Sequence, residues 1–327
     1  MATQRNFGWD SIKGFLILMV ILGHVVPEPL GQSLIRSVIY SFHMPLFIFI
    51  SGYLFPLDRW LLASPLELLK QYKSRVIFPW VIAVVVFCAL SIYVNDIYKN
   101  PLLVLFRYFI KPYFHLWFIP SLLLWMVLTQ FLYKRVKSSA RRLWWVFGVS
   151  FLFFGISHWV DFDELPSYYA PLDGFQSIYR LQYWIFFAWG VFLKQNLEWL
   201  RPMKGMRWIY PMYLTVVIWN FYSHQWALEM MVFFIANILL SFQIASDFHA
   251  YKGTGWRVFN WMGMESMGVY LWHYVCTMLI KFWVGTNDLW LYYGCNVLGL
   301  LFTFVLLFLF TKNKWTHQIL MGIETKG

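Results

Sequence analysis

Charged residues are scarce in this chain. Only 13% of its 327 residues are Asp, Glu, Lys or Arg, whereas about 25% is usual for a soluble domain. Hydrophobic residues make up 60%. A soluble protein of this length would need more polar surface to cover its core. The composition therefore excludes an ordinary soluble enzyme and indicates that lipid surrounds much of the chain.

Cysteine is nearly absent. The three cysteines, Cys88, Cys276 and Cys295, lie in separate apolar segments and show neither disulfide nor metal-site spacing. We interpret them as small buried hydrophobic residues.

Long apolar runs recur along the whole chain, and many end in tryptophan or tyrosine, as membrane spans do. Each run approaches the ~20 residues that a helix needs to cross a bilayer. We predict an all-α, polytopic membrane helix bundle with about ten transmembrane helices, formed as a single domain over residues 1–327. Segment 102–113 is shorter and is predicted to be interfacial or re-entrant. The predicted spans are residues 10–27, 34–55, 76–94, 114–133, 143–159, 178–194, 208–223, 227–246, 264–284 and 289–311.

Basic residues are divided unevenly between the two sides of these spans. With the N-terminus in the cytoplasm, 20 of the 26 Lys and Arg residues fall on the cytoplasmic side. The six others are Arg36, Lys99, Arg107, Lys111, Arg180 and Lys281. Cytoplasmic loops carry an excess of Lys and Arg, so we predict that both termini are cytoplasmic. The same rule accounts for the basic net charge, and no nucleic-acid partner is predicted.

Three ionisable residues in the first predicted span form a candidate functional stripe. Lys13 and His24 are eleven residues apart, which is three helical turns plus about 20°, and Asp10 lies one turn before Lys13. All three share one face, with His24 about 16 Å beyond Lys13 along the axis. Ionisable residues in lipid are costly and usually functional. The alternative is an interfacial Asp10–Lys13 pair and a hydrogen-bonded core histidine.

The second predicted span carries His43 and Pro45 near its middle. Proline removes a backbone donor and frees a carbonyl, which a membrane tolerates only where local partners exist. The following Ser51-Gly52 pair permits close helix packing. His115 and His273 lie in or near two further spans, but the membrane histidines lack metal-ligand spacing, so no metal site is predicted.

Four segments of these two spans carry a family resemblance. They are Trp9-Asp10-Ser11-Ile12-Lys13-Gly14, Val20-Ile21-Leu22-Gly23-His24, Ser41-Phe42-His43-Met44-Pro45-Leu46-Phe47 and Ile50-Ser51-Gly52-Tyr53-Leu54. They resemble the membrane-bound acyltransferase-3 family, and most closely its branch of fucose- and polysaccharide-O-acetyltransferase-like proteins. Lys13 and His24 fill the family signature of a basic residue, ten residues and a histidine.

Looser matches follow in order along the chain, and two positions depart from the family pattern. The looser matches are Arg75 with Pro79, Leu116-Trp117-Phe118, and the series Ser266, Tyr270 and His273. Lys13 stands for the commoner arginine, and an apolar residue replaces a second basic residue near Arg75.

The resemblance implies an O-acetyltransferase. Its reaction would move an acyl group, usually acetyl from acetyl-CoA, to a sugar hydroxyl of a surface or secreted glycan or its lipid-linked precursor. Acetyl-CoA is then a co-substrate, and no bound cofactor is implied. The expected location is the bacterial cytoplasmic (inner) membrane. No oligomeric state follows from the sequence.

Within that expectation, His24 is the general base or, alternatively, the residue that accepts the acyl group, because histidine titrates near operating pH. Asp10 lies about 21 Å from His24 along the helix, so an orienting partner must come from another span. The candidates for that partner are His43, Ser51 and His273. The candidate oxyanion donors are Ser51, Trp117 and a backbone N–H near Pro45.

The remaining matched residues divide into two sets. Lys13, Asp10 and Arg75 form the candidate donor-binding set, because basic side chains complement the phosphates of CoA. Trp117, Tyr53, Ser266 and Tyr270 form the acceptor-binding or structural set.

Two other function classes are compatible with the sequence. A polytopic secondary transporter of a glycan-related or small anionic substrate would also have about ten spans and broken helices. A non-catalytic membrane sensor or assembly partner would tolerate replacement of His24. Transfer of label from acetyl-CoA to a glycan distinguishes the enzyme from both.

Overall fold

The computed structural model describes residues 6–26, 31–95, 100–112, 115–160, 179–249, 251, 253–284 and 288–322. Across these ranges the chain forms helices and turns and no β-strand. The α-helices are α1 (Phe7–Val25), α2 (Leu34–Tyr53), α3 (Leu57–Leu61), α4 (Pro65–Tyr72), α5 (Phe78–Asn95), α6 (Pro101–Ile110), α7 (Phe118–Arg135), α8 (Ser139–Trp159), α9 (Trp184–Gln195), α10 (Ile209–Ser223), α11 (Trp226–Met231), α12 (Asn237–Phe248), α13 (Arg257–Met264), α14 (Ser266–Trp272), α15 (Val275–Val284), α16 (Leu289–Lys312) and α17 (Lys314–Met321). Within the described ranges, some of them are joined by two π-helical segments, Lys73–Ile77 and Val232–Ala236, and by two 3-10 helices, Leu181–Tyr183 and Leu197–Leu200.

Among the described residues, five helical stretches are long and apolar enough to cross a membrane. They are Phe7–Val25, Leu34–Tyr53, Pro65–Val94, Trp226–Phe248 and Leu289–Lys312. The polytopic all-α bundle predicted from the sequence is thereby confirmed, and the chain is an integral membrane protein. The number of crossings and the cytoplasmic position of both termini stay predictions. Helix α6, in the segment predicted to be interfacial, has ten residues and is too short to cross alone.

The other predicted spans coincide with helices that are shorter, flanked by charge, or interrupted. Helices α7 and α8 have 18 and 21 residues, and each includes arginine at the end where the two meet. The predicted span 264–284 is broken at His273 and Tyr274 into α14 and α15. The short connection between the predicted spans 208–223 and 227–246 begins with His224, which caps α10 in a left-handed conformation with φ 50°.

The described chain divides into two compact units, each assembled from two segments. Unit 1 comprises Met1–Pro56 and Ile185–Ser266, and unit 2 comprises Leu57–Trp184 and Met267–Gly327. A single domain over the whole chain stays a prediction.

Close backbone contacts hold the helices of unit 1 together at glycine. A Cβ on Gly14 of α1 would overlap the carbonyl of Phe259 in α13, and a Cβ on Gly52 of α2 would overlap the carbonyl of Phe187 in α9. Gly190 makes the reciprocal approach to α2. Only glycine permits such approaches, so the close packing predicted for the Ser51-Gly52 pair is confirmed.

The proline inside α2 has a specific compensation. Pro45 has no N–H for the carbonyl of Ser41 four residues earlier. The side chain of Asn237 instead donates to that carbonyl through Nδ2 at 2.9 Å. Asn237 follows directly on the π-helical segment Val232–Ala236. The Tyr213 hydroxyl lies 3.1 Å from Asn237 Oδ1 and 3.1 Å from Ser41 Oγ, which completes a buried polar network.

Helix α12 runs parallel to α2. Asn237 contacts Ser41, and twelve residues later His249 contacts Tyr53. The two residues of each pair are 196 positions apart in the sequence. The twelve residues between the two contacts correspond to about 18 Å of helix. The middle and the C-terminal end of α2 are therefore held by one partner helix and the residue that follows it.

In unit 2, buried side chains satisfy backbone carbonyls at the end of α3. Gln130 of α7 donates through Nε2 to the carbonyls of Trp60 and Ala63 at 2.6 and 2.8 Å. Nearby, the indole of Trp184 donates to Thr129 Oγ1 at 2.9 Å. These bonds anchor α7, whose N-terminal end carries the predicted Trp117 element.

Candidate active site

The polar stripe of α1 begins with an ion pair. Asn6 caps the helix by accepting from the N–H of Gly8 at 2.9 Å, so Asp10 falls in the first turn. Lys13 Nζ lies 2.9 Å from Asp10 Oδ1, and their side chains are 23% and 8% exposed. This ion pair of a partly exposed lysine and a buried carboxylate lies at the helix end where the sequence predicts donor binding.

His24 lies at the other end of the stripe and is half-buried. Its Nδ1 is 3.1 Å from the hydroxyl of Tyr40 on α2. The partner thus comes from another span, as the distance to Asp10 requires, but Tyr40 was not among the predicted candidates. The available signal was its position one residue before the matched Ser41–Phe47 segment.

Tyr40 joins His24 to a second histidine. The rings of Tyr40 and His43 lie 5.0 Å apart, edge to face. His43 is buried, and its Nδ1 donates to the carbonyl of Ile39 at 2.7 Å. That bond requires the proton on Nδ1, so Nε2 carries the lone pair in neutral His43. The Arg36 guanidinium stands 5.3 Å over the Tyr40 ring. We call His24, Tyr40 and His43 the His24 cluster.

Ser51 and Tyr53, both predicted site residues, are engaged elsewhere along α2. Ser51 Oγ donates to the carbonyl of Phe47 in its own helix at 2.9 Å. The Tyr53 hydroxyl lies 2.6 Å from His249 Nδ1, and Lys194 Nζ stands 5.2 Å over the Tyr53 ring. Partial burial and the charge of Lys194 lower the pKa of His249, which favours a neutral imidazole that accepts from Tyr53.

The late histidine of the sequence pattern belongs to a cluster in unit 2. The rings of His273 and His115 lie 4.8 Å apart, and both residues are buried. The Tyr270 hydroxyl donates to the carbonyl of His115 and accepts from the N–H of Phe118 at 3.3 Å. His273 Nδ1 lies 2.9 Å from the carbonyl of Tyr270. Tyr270 thus fixes the turn that contains Trp117.

The remaining predicted residues occupy separate places. Trp117 is buried under the guanidinium of Arg180, which lies 4.2 Å from its ring. Arg75 is exposed within the π-helical segment Lys73–Ile77. Ser266 is half-buried and begins α14 at the end of unit 1.

The structure therefore groups the predicted residues in two sets. In unit 1, Asp10 pairs with Lys13, and Tyr40 lies between His24 and His43. In unit 2, His273 and Tyr270 lie at the turn that contains Trp117. Their catalytic and binding roles stay predictions. The stretch 160–177, which the sequence shows to be rich in acidic residues and which we expect to be an external loop, lies almost wholly outside the described residues. Where side chains are described, no group of three or more His, Cys, Asp or Glu is placed to hold a metal ion.

Comparison with known proteins identifies a family that this sequence matches. A family model described as an acyltransferase domain matches residues 6–311. The chain is similar to the nodulation protein NolL of Sinorhizobium fredii, 42% identical over 60 residues, and to that of Mesorhizobium japonicum, 43% identical over 58 residues. Each alignment covers 16% of this chain and 16% of the relative. No solved structure matches this chain.

Proposed function

We propose that this chain, which belongs to the acyltransferase-3 family and is an acyltransferase, moves an acetyl group from acetyl-CoA to a sugar hydroxyl. The acceptor is a surface or secreted glycan or its lipid-linked precursor, and the chain acts in the bacterial cytoplasmic membrane. The observation that carries the proposal is the α1 stripe. It has a lysine at one end and, at the other, a histidine held by Tyr40.

His24 is proposed as the general base. A sugar hydroxyl attacks the thioester carbon, its oxygen–carbon bond forms, and the carbon–sulfur bond breaks. His24 Nε2 takes the hydroxyl proton and passes it to the departing thiolate, which leaves as CoA. This role needs the tautomer in which Nδ1 carries the proton and donates to the Tyr40 oxygen. The contact at 3.1 Å is compatible with that tautomer. The alternative is that His24 itself accepts the acyl group before the sugar does.

The donor is proposed to enter from the cytoplasmic side. Lys13 would bind a phosphate of CoA, and the long flexible arm of the donor would carry the thioester along α1 toward His24, about 16 Å away. Asp10 holds Lys13 at 2.9 Å and so keeps the ammonium group in place. Arg75 is proposed as a further phosphate ligand, which its exposure allows.

The other predicted residues receive narrower proposals. His43 presents a lone pair at Nε2 and is a candidate to assist His24 through the shared Tyr40 ring. Ser51 and His273 remain catalytic candidates from the family pattern. Trp117 and Tyr270 are proposed to shape the acceptor side, since Tyr270 anchors the turn of Trp117.

The deciding experiment compares wild-type and His24→Ala membranes at matched protein amounts. Each is supplied with radiolabelled acetyl-CoA and glycan acceptor. The proposal expects label on the glycan with wild-type membranes and a loss of about 10²- to 10⁴-fold in the variant, the usual contribution of a general base. Full transfer by His24→Ala would reject the role of His24.

Glycan uptake without transfer by the wild type would favour a transporter. Glycan analysis of a deletion strain then identifies the missing ester.

A further inference from the structure

Asn237 is a fully buried polar residue in a predicted membrane span, and it lies outside the segments that carry the family resemblance. We infer that Asn237 is a positioning residue for the His24 cluster. Its amide replaces the N–H that Pro45 lacks and so fixes the stretch of α2 that carries Tyr40 and His43. The kinetic part of this inference rests on the proposed function.

The contact lies within the site-bearing stretch of the helix. Asn237 Nδ2 donates at 2.9 Å to the carbonyl of Ser41. Ser41 directly follows Tyr40, whose hydroxyl contacts His24, and it lies two positions before His43. A shift of the Ser41 peptide therefore moves both side chains of α2 that belong to the His24 cluster. Tyr213, at 3.1 Å from Asn237 Oδ1, orients the amide so that its nitrogen faces Ser41.

The π-helical segment before Asn237 explains how the residue reaches α2. A π-helical turn adds one residue and rotates the side chains that follow it by about 100°. It also changes the backbone pairing, since the N–H of Asn237 itself donates to the carbonyl of Val232. Asn237 Nδ2 lies 3.0 Å from the carbonyl of Val232 and 3.2 Å from that of Phe233. One amide thus serves two irregular helices, and π-helical turns of this kind occur often at functional sites.

Removal of the amide leaves the Ser41 carbonyl without its side-chain donor in a region where water is scarce. The helix would respond by moving the Ser41 carbonyl toward another donor. We expect Asn237→Ala to lower kcat per folded protein about tenfold, the effect of one buried group left unsatisfied, while the KM for acetyl-CoA stays within about twofold. Loss of fold alone would reduce the amount of folded protein and leave its kcat unchanged.

A double-mutant cycle with Pro45→Ala tests the mechanism. Pro45→Ala restores a backbone N–H that can donate to the Ser41 carbonyl. In that background, Asn237→Ala should lower kcat less than about threefold, so the two changes are strongly coupled. Asn296→Ala is the matched control. Asn296 is also buried, but it donates to the carbonyl of Tyr292 in its own helix at 2.9 Å. The Asn296→Ala variant should therefore keep the wild-type kcat. A wild-type kcat for Asn237→Ala, or an undiminished effect in the Pro45→Ala background, overturns the inference.

A second readout does not require a known acceptor. The rate at which diethyl pyrocarbonate modifies His24 can be followed by mass spectrometry of the peptide that contains it. Asn237→Ala should change that rate about tenfold relative to wild type, and Pro45→Ala should suppress the change. An unchanged rate in Asn237→Ala overturns the inference. Absence of acetyl transfer in wild-type membranes would instead reject the proposed function.

Discussion

Removal of the Tyr40 hydroxyl is the sharpest test of how His24 is held. Tyr40→Phe deletes the oxygen that lies 3.1 Å from His24 Nδ1 and keeps the aromatic ring that packs 5.0 Å from His43. The packing of α2 is therefore preserved, and only the orienting bond is lost.

The expected loss follows from the charge that His24 gains. As general base, His24 becomes an imidazolium in the transition state, so its bond to the Tyr40 oxygen is then charge-assisted. Such a bond contributes about 1.5–3 kcal/mol. At 1.36 kcal/mol per factor of ten, Tyr40→Phe should lower kcat about 10- to 150-fold. The KM for acetyl-CoA should stay nearly constant, because the lost bond strengthens only in the transition state.

The assay measures initial rates of acetyl transfer in membranes, with kcat calculated per folded protein. Tyr222→Phe is the control for a lost tyrosine hydroxyl, since Tyr222 is 69% exposed on α10. If Tyr40→Phe keeps more than half of the wild-type kcat while His24→Ala is inactive, Tyr40 does not orient the base, and the proposed tautomer loses its support.

Three further predictions concern donor binding, packing and pH. Lys13→Met should raise the KM for acetyl-CoA about tenfold through the lost phosphate contact, and adding Asp10→Asn should recover folding stability without recovering the KM. Gly52→Ala should lower the free energy of unfolding by about 1–3 kcal/mol, measured by thermal unfolding in detergent, whereas Gly148→Ala should not, because its Cβ would meet nothing within 4 Å. The lowered pKa of His249 means that the unfolded state binds more protons below about pH 6.5, so stability should fall as pH falls through that value. His249→Gln should reduce this pH dependence of Tm.

The sequence predicted features that depend on local periodicity. The α1 stripe follows from helical spacing alone, and the Asp10–Lys13 pair is found where that spacing places it. The apolar runs likewise predicted the long helices because lipid demands them. Pro45 predicted that some group must serve the Ser41 carbonyl.

What the sequence did not predict depends on distant partners. Asn237 lies 196 positions from Ser41, and a π-helical segment changes the side-chain direction before it, so no α-helical periodicity relates the two residues. The sequence does not single out Tyr40, because aromatic residues make up 22% of the chain. The sequence gives no sign of the break at His273, because neither proline nor glycine marks it.

The spacing between α2 and its partner helix also has a consequence for biosynthesis. Ser41 and Asn237 are 196 residues apart, so at about 5–20 residues per second α2 is made roughly 10–40 s before its donor exists. Throughout that interval the proline-freed carbonyl must be served by water, lipid headgroups or the insertion machinery. Chains that stop before Asn237 would lack this side-chain donor permanently, so α2 reaches its final hydrogen bonding only after most of the protein has been made.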